Sequence, residues 1–358
     1  MVNIDFKNED LKKMEYDKFH INNKYAAWYF NKAKELNESD VFFKRATRIS
    51  NCMDYFLWHK YEKNKILDLQ KVNRCMNNRF CPNCKKFDLA KFIHLFTPKF
   101  VEMQVSGYTP YFLTLTIPNC SFCELSNTIN YLYKSFKKFW NGFYSADRKG
   151  FSFRKVRFVA ALKVLEVTTN LKNREFHPHL HCIFFSKEPI SSELLEKKIK
   201  GLWSVKRQSY DYYSDLELHF KKIWTMICKN IRMSKKNYRE INFTYDELYQ
   251  VDFRELDQKG LYEVLKYTFK DTDVCNEEIF NYFVDAFENR RIRQGYGLLY
   301  DLKTEIVDEG IYQDLELEFE EDPTRLYTNE IKDLYTKYSE YKKISRFCPN
   351  EFNDIEEE

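Results

Sequence analysis

The feature that most constrains the fold of this 358-residue chain is a run of three histidines at every second position, in FHPHLHCIFF over residues 176–185. Successive side chains of a β-strand point to opposite faces, so this spacing predicts a strand with all three imidazoles on one face. The apolar residues between them can then enter a core. The three histidines are His177, His179 and His181.

The chain has only seven histidines, so composition does not explain three at this spacing. Neighbouring imidazoles on one face can bind the same metal ion, whereas the alternative is a coincidence on a surface or in a core. The preceding segment VRFVAALKVLEVT (156–168) predicts the first strand of a β-hairpin. With the turn centred near Lys172 and Asn173, Glu166 lies across from His179.

A carboxylate beside two imidazoles suits a hard divalent ion such as Mg2+ or Mn2+, which makes Glu166 a candidate third ligand. A solvated strand carboxylate is the alternative interpretation of Glu166.

A second group of reactive side chains lies on a predicted helix over residues 254–270. Glu263, Tyr267 and Lys270 are spaced four and three residues apart, so they share one helix face. A tyrosine hydroxyl is a poor nucleophile unless it is assisted, and a nearby metal can polarise a phosphate for its attack. Taken alone, such a helix is usually explained by core packing and surface charge.

Cysteines form a third pattern, C-x5-C-x2-C, at Cys75, Cys81 and Cys84. A C-x2-C pair can wrap a zinc ion, which takes four thiolate or imidazole ligands. Cys52 is the predicted fourth ligand and His59 is the alternative; buried thiols without a metal are the simpler interpretation. A further C-x2-C pair, formed by Cys120 and Cys123, has no evident partner.

Local periodicity predicts the remaining elements. The segment YFLTLTIPN (111–119) predicts a strand that Pro118 ends, because proline has no N–H to donate to a sheet. Helices are predicted at KYAAWYFNKAKEL (24–36), CMDYFLWHKYEK (52–63), residues 87–105, residues 124–144, residues 216–231 and residues 277–289.

The charge of the chain is unevenly distributed. Residues 301–358 carry 18 acidic and 7 basic side chains, and the preceding 300 residues hold a net charge of +15. A basic body suits an anionic partner such as DNA. The sequence has no long apolar segment and no signal-peptide core, so we expect a cytoplasmic protein with no membrane contact, in which cysteines bind metal or stay reduced.

Four motifs in order resemble one family. FLTLTIPN (112–119), HPHLHCIFF (177–185) and EVLKYTFK (263–270) look like the three motifs of rolling-circle plasmid replication initiators, which are HUH endonucleases. CMNNRFCPNC (75–84) is similar to the cysteine-rich element that precedes them in Gram-positive, single-tyrosine members.

The resemblance implies a role for each matching residue. His179 and His181 would bind the catalytic Mg2+ or Mn2+, with Glu166 as a candidate third ligand. Tyr267 would nick one strand of origin DNA, leaving a 5′-phosphotyrosine and a free 3′-OH, and rejoining would follow at termination. Glu263 would assist the terminating cleavage, and Lys270 matches the lysine after the tyrosine. A host helicase and polymerase would be partners.

The family also implies a fold: an α+β domain whose central antiparallel β-sheet has flanking helices. We therefore expect a helical N-terminal region with a zinc-binding element at 1–95, a nicking and joining domain at 96–300, and an acidic C-terminal extension at 301–358.

Three other functions are compatible with parts of the sequence. A histidine-triad nucleotide hydrolase or transferase would use HPHLHCI, but it leaves Tyr267 and the cysteines unexplained. A zinc-dependent DNA-binding protein without catalysis would use its histidines structurally. A related HUH transposase or relaxase would share the chemistry.

Overall fold

The structure is a computed structural model, and it describes residues 17–53, 55–61, 66–72, 74–144, 156–204, 208–240, 248–257, 261, 264, 273–302 and 331–337. The described residues fall into two compact units. One lies within Met1–Asp88 and Gly310–Glu358, and the other lies within Leu89–Glu309. The division into 1–95, 96–300 and 301–358 stays a prediction.

Helices and strands alternate irregularly along the chain. The helices are α1 (Asn23–Glu35), α2 (Asp40–Ser50), α3 (Pro82–Val105), α4 (Leu125–Tyr144), α5 (Ser192–Leu195), α6 (Asp215–Cys228), α7 (Lys235–Glu240) and α8 (Glu277–Phe287). The strands are β1 (Tyr55–Tyr61), β2 (Ile66–Val72), β3 (Thr109–Thr116), β4 (Cys120–Ser121), β5 (Phe158–Asn170), β6 (Glu175–Ser186), β7 (Ile199–Ser204), β8 (Ser209–Tyr213), β9 (Val251–Glu255), β10 (Arg293–Gly297) and β11 (Ile331–Lys337).

The larger unit is built on an antiparallel sheet with the strand order β10-β5-β6-β3-β9, and the short β4 also pairs with β6. The histidine strand β6 is therefore the central strand, paired along its length with β5 and β3. Helices flank this sheet, which confirms the predicted α+β class with a central antiparallel sheet. No helix among the described residues is long and apolar enough to cross a membrane.

The register of the β5–β6 hairpin agrees with the sequence prediction, since Glu166 pairs with His179 and Asn170 with Glu175. The turn has local support: the backbone N–H of Asn173 donates to the side-chain oxygen of Asn170, and Arg174 takes a positive φ of 54°. A slip of one residue would exchange the two faces of the strand. The register thus decides that Glu166 shares a face with the histidines.

The sheet face opposite the histidines forms the main core. Phe184 of β6 packs against Phe139 of α4 and Phe158 of β5, with ring centroids 6.3 Å and 4.7 Å apart. Phe220 of α6 lies 4.8 Å from Phe253 of β9. Burying each ring of this size contributes about 1.5–3 kcal/mol. Helices α4 and α6 thereby cover the sheet face opposite the histidines and leave the histidine face uncovered by them.

Helix α6 begins at a capping box. The backbone N–H of Glu217 donates to the Ser214 hydroxyl, and the Glu217 carboxylate accepts from the Ser214 backbone N–H. Both bonds satisfy donors that a helix start otherwise leaves unpaired. The indole N–H of Trp224 then donates to the backbone oxygen of Thr116, at 2.6 Å. This bond ties the helix to the end of β3, close to the histidine face.

The smaller unit corrects one predicted helix. Residues 55–61, within CMDYFLWHKYEK, form strand β1, which pairs with β2 and with β11. The helical spacing of its aromatic residues was misleading, because β-branched and aromatic residues also suit strands and the β11 partner lies about 270 residues further along the chain. The N-terminal region is helical in α1 and α2 but contains this three-stranded sheet as well.

Other predicted elements are confirmed with shifted ends. The helix predicted at 87–105 begins earlier, at Pro82, since proline is favoured in the first turn of a helix. The segment 254–270 is only partly helical: Arg254 and Glu255 belong to β9, and Leu261 and Val264 are helical. The alternation of Val251 and Phe253 with polar residues is a strand signal that the helix prediction overlooked.

Candidate metal centres

The hairpin brings three ligand atoms together on the open face of the sheet. Oε2 of Glu166 lies 3.2 Å from Nε2 of His179 and 2.7 Å from Nε2 of His181. The three side chains keep 23%, 11% and 14% of their surface exposed, in that order. Their ligand atoms all lie within 4.8 Å of one another. The site is therefore partly buried but reachable from solvent.

Hydrogen bonds on the far side of each imidazole fix which nitrogen faces the centre. Nδ1 of His179 lies 3.2 Å from the backbone oxygen of His177, and a carbonyl only accepts, so this nitrogen carries the proton. Nδ1 of His181 lies 3.1 Å from the Thr114 hydroxyl. Such partners orient metal-ligating histidines and leave the Nε2 lone pair free for the ion.

The charge of Glu166 matches this arrangement. Burial opposes ionisation of the carboxyl group, but hydrogen bonds from His179 and His181 outweigh it and hold the pKa of Glu166 well below its usual range. In His179 the proton is on Nδ1, so its Nε2 can face the Glu166 oxygen favourably only with a positive charge, a second proton or a metal cation, between them. A divalent cation supplies that charge without protonating either ring.

The donor set fits a catalytic metal better than a structural one. Two imidazoles and one carboxylate suit Mn2+, Mg2+ or Zn2+, and three protein ligands leave positions open for substrate oxygens. Aromatic packing closes only part of this face: Phe100 of α3 lies against Phe185, with ring centroids 5.7 Å apart. The end of β6 that carries the histidines stays accessible.

His177 lies beside this centre and does not join it. Its Nδ1 contacts Oδ1 of Asn119 at 2.7 Å, and the Asn119 amide nitrogen donates to Glu175. Burial, and then the charge of neighbouring His179, lower the pKa of His177. The structure thus separates the three same-face histidines into a ligand pair and one held by the loop after β3.

Sequence reasoning missed the residues that support this centre. Thr114 pairs with His181 and Thr116 with His179 across β3, so both threonines share the face of the histidines. Period-two alternation in FLTLT was a usable signal for Thr114, because only one face of that strand is polar. Asn119 follows Pro118 and had no such signal.

Four cysteines form a second, closed centre within the smaller unit. Sγ of Cys84 lies 3.5 Å from Sγ of Cys75 and 3.7 Å from Sγ of Cys52, and Sγ of Cys81 lies 3.6 Å from Cys52. A tetrahedral zinc ion with Zn–S bonds of about 2.3 Å places sulfurs about 3.8 Å apart. All four side chains are buried. The residues present therefore fit zinc.

Local structure positions these thiols. The backbone N–H of Cys75 donates to Sγ of Cys52 at 3.4 Å, and the Asn77 side chain accepts from the backbone N–H of Phe80 while donating to the Tyr29 hydroxyl. Burial raises the pKa of the Cys75 thiol, because a buried thiolate loses the stabilisation that water or a positive charge gives it. A metal ion would provide that charge.

Several sequence-predicted residues fall elsewhere. Glu263, Tyr267 and Lys270 lie outside the described residues, as does the side chain of His59. Cys120 is buried and Cys123 is exposed, with its sulfur 3.4 Å from the Ser121 hydroxyl. Among the described residues, two groups of side chains could hold a metal ion. One is the four cysteines, and the other is Glu166 with His179 and His181.

These features define a class: an α+β protein whose central antiparallel strand presents a His-x-His pair with a cross-strand carboxylate. A family model described as Rep_1, replication protein, matches residues 66–345. The chain therefore belongs to the Rep_1 family of replication proteins, and the resemblance to rolling-circle replication initiators is confirmed.

Individual relatives agree with the family. The chain is 24% identical over 286 residues to a "Protein rep" of Bacillus sp, which covers 74% of this chain and 81% of the relative. It is 25% identical over 287 residues to a "Protein rep" of Bacillus amyloliquefaciens, covering 74% and 73%. A "Protein rep" of Staphylococcus aureus is 28% identical over 217 residues, covering 59% and 75%. No solved structure matches the chain significantly.

Proposed function

We propose that this protein initiates rolling-circle replication of a plasmid by nicking one strand at the origin, and later rejoins the displaced strand. The observation that carries this proposal is the convergence of Glu166, His179 and His181 on one open face, in a chain that belongs to a replication protein family. A purely structural metal site would be closed and buried, as the cysteine centre is.

The chemical step assigns the nucleophile to Tyr267. Its phenol oxygen attacks the phosphorus of the scissile phosphodiester, a P–O bond to Tyr267 forms, and the bond to the 3′ oxygen breaks. The phenol proton leaves to solvent or a nearby base, and the departing 3′ oxygen gains a proton. The products are a 5′-phosphotyrosine and a 3′-OH that can prime a polymerase. Joining is the reverse transfer to a 3′-OH.

The protein's own groups hold the reacting phosphate in place. Glu166, His179 and His181 would hold the divalent ion, whose chemistry when bound is to polarise the scissile phosphate and neutralise its charge. Thr114 and the His177 backbone oxygen keep both imidazoles aimed at that position. Lys270 would pair with a phosphate oxygen, and Glu263 would accept a proton in the terminating cleavage.

The flanks of the tyrosine segment support this assignment. Before it, the backbone N–H of Leu256 donates to the oxygen of Pro110, which pairs with Phe185 at one end of β6. After it, the Thr169 hydroxyl donates to the oxygen of Asp273, and Thr169 pairs with Phe176 at the other end. Leu256 and Asp273, which flank the tyrosine segment in the sequence, therefore lie at opposite ends of the histidine strand.

The cysteine centre would hold a structural zinc ion on Cys52, Cys75, Cys81 and Cys84. Its basic neighbours in the sequence suit a module that lies near DNA. Origin DNA, single-stranded or supercoiled, is the proposed partner, and a host helicase and polymerase would act after the nick.

The test is adduct formation. The protein is incubated with Mn2+ and a single-stranded oligonucleotide carrying the origin of its plasmid. We expect a covalent protein–DNA adduct that survives denaturation, and peptide mapping should place the DNA on Tyr267. Y267F should abolish the adduct, because phenylalanine has no hydroxyl.

A neighbouring tyrosine provides the control. Y262F removes a hydroxyl from the same sequence segment and should leave adduct formation unchanged. An adduct that persists in Y267F would overturn the proposal. Phosphate chemistry that continues unchanged in Y267F, with any adduct on a histidine, would instead favour a histidine nucleophile.

A further inference from the structure

The hairpin of β7 and β8 carries an exposed aromatic face that the proposed nicking chemistry does not use. Trp203, Tyr210 and Tyr212 keep 52%, 42% and 48% of their surface exposed. Cross-strand pairing joins Trp203 to Tyr210 and Lys200 to Tyr212, so these four side chains share one face. We name the two strands, Ile199–Ser204 and Ser209–Tyr213, the aromatic ribbon.

The ribbon has a defined internal geometry. The rings of Trp203 and Tyr210 meet edge to face with centroids 5.0 Å apart, and Nζ of Lys200 lies 3.7 Å from the Tyr210 ring centroid. A register shift separates Lys200 from Trp203, and a Cβ added to Gly201 would clash with the Tyr213 ring. Glycine therefore allows Tyr213 to pack closely while the other aromatic face stays open.

An exposed patch of large aromatic residues marks an interaction surface rather than ordinary solvent-facing structure. The charge around it identifies the kind of partner. Among the described residues from 197 to 213, three are basic (Lys197, Lys198 and Lys200) and one is acidic (Asp211). An interface with an apolar protein surface is depleted in lysine, whereas single-stranded nucleic acid is bound by aromatic rings interleaved with basic groups.

The residues just before β7 lie beside the sheet face that carries the histidines. Nζ of Lys197 is 3.6 Å from the Asp252 carboxylate on β9. Asp252 pairs with Thr114, and Thr114 pairs with His181, so the three side chains share a face. Two strand spacings, about 10 Å, separate β9 from β6. The start of the ribbon therefore lies on the same side of the sheet as the candidate metal centre.

We propose that the aromatic ribbon binds single-stranded DNA next to the cleavage site, with bases stacked on Trp203, Tyr210 and Tyr212 and a phosphate paired with Lys200. This inference rests on the proposed function for the location of the strand, but base stacking itself requires no metal. It assigns the ribbon to substrate positioning, separate from the nucleophile and the metal ligands.

The test measures binding with no Mg2+ or Mn2+ added and no chelator, so that cleavage cannot contribute and the cysteine centre keeps its zinc. Fluorescence anisotropy with a labelled oligothymidylate compares the full chain with W203A and Y212A. Each of these substitutions removes a ring on which one base stacks, so it should weaken binding by about 5-fold to 150-fold. W203F keeps an aromatic ring and should bind within about 3-fold of the unchanged protein. Quenching of the tryptophan emission on DNA binding should vanish in W203F and W203A.

Tyr300 supplies the matched control, because it is 70% exposed and follows β10, which lies outside the two-stranded β7–β8 sheet, at the edge of the larger sheet opposite β9. Y300A should leave oligonucleotide affinity unchanged. Unchanged affinity in both W203A and Y212A would overturn the proposal, as would an equal loss in Y300A. So would a shift in oligomeric state with no change in DNA affinity, since the ribbon would then contact a second copy of the chain.

The two proposals fail separately. If no adduct forms on Tyr267 but W203A still weakens binding to single strands, the ribbon stands and the nicking mechanism falls. If the adduct forms and W203A leaves both affinity and KM unchanged, the mechanism stands and the ribbon proposal falls. With both intact, W203A should raise KM for the oligonucleotide and leave kcat unchanged.

Discussion

The two candidate metal centres use opposite designs. The cysteine centre supplies four buried thiols, three pairs of which have sulfurs 3.5–3.7 Å apart, so every position around a zinc ion can be filled. The histidine centre supplies three ligands that keep 11–23% of their surface exposed, so an ion there has positions left over. A closed set of ligands stabilises a fold, and an open one can bind a substrate.

The comparison also explains why the supporting residues differ. Around the cysteines, backbone N–H groups and a buried aromatic cluster near Phe80 and Tyr29 hold the loop in place, as a folding site requires. Around the histidines, the Thr114 hydroxyl and a backbone oxygen orient two rings, and the backbone oxygen places the proton of His179 on Nδ1. Chemistry at a phosphate needs that orientation, because misplaced ligands lose activity before they lose stability.

H181A should show the largest difference between the roles of the two centres. Removing one ligand of the open centre should lower the rate of oligonucleotide nicking at least about 1,000-fold, because phosphate polarisation is lost. The melting temperature should change little, since His181 is partly exposed. Gel-based cleavage rates and thermal melts check both halves. A melting temperature that falls as far as the activity would make the histidine centre structural.

C75S should give the converse result. A serine hydroxyl is a weak zinc ligand, so bound zinc should be lost and the free energy of unfolding should fall by several kcal/mol. Zinc content by elemental mass spectrometry and chemical denaturation measure this change. C123S, at an exposed cysteine outside the cluster, is the matched control and should retain zinc. Zinc content unchanged in C75S would refute the four-cysteine site.

T114V tests a residue that orients a histidine of the open centre without binding the metal itself. Valine keeps the shape of threonine but removes the hydroxyl that contacts Nδ1 of His181. The affinity for Mn2+ should fall about 10-fold to 100-fold, as for other lost partners of metal-bound histidines. Calorimetric titration with Mn2+ gives the affinity. An affinity equal to that of the unchanged protein would show that Thr114 has no part in orienting the ring.

A smaller effect is expected from N119A. Asn119 contacts His177, which lies beside the ligand pair, so its loss should disturb the centre only indirectly. Mn2+ affinity should fall less than in T114V, by about 3-fold or less, and the cysteine centre should keep its zinc. If N119A weakened Mn2+ binding more than T114V, His177 would have to be counted as a ligand.

Much of the histidine centre followed from sequence because its information is local. Period-two histidines, a neighbouring β-rich segment and a short polar turn fix both the strand and the register that brings Glu166 to His179. The cysteine spacing was similarly informative. Strand β1 could not be predicted in the same way, because it pairs with β11. The residues near 52–63 in the sequence do not include that partner.

The aromatic ribbon shows a different limit of sequence reasoning. Trp203, Tyr210 and Tyr212 look like core residues by composition, and only their exposure distinguishes them. Exposure depends on what the rest of the fold covers, which periodicity does not encode. The same applies to Thr114, whose role depends on the strand that lies beside it.

The central claim is that Glu166, His179 and His181 hold the ion used in cleavage, and electron paramagnetic resonance of bound Mn2+ tests it most directly. The spectrum of the Mn2+-loaded protein should show nitrogen couplings from two imidazoles. H179A should lose one of them, and H179A/H181A should lose both together with adduct formation on Tyr267. Bound Mn2+ with no nitrogen coupling, or full adduct formation in the double variant, would contradict the account.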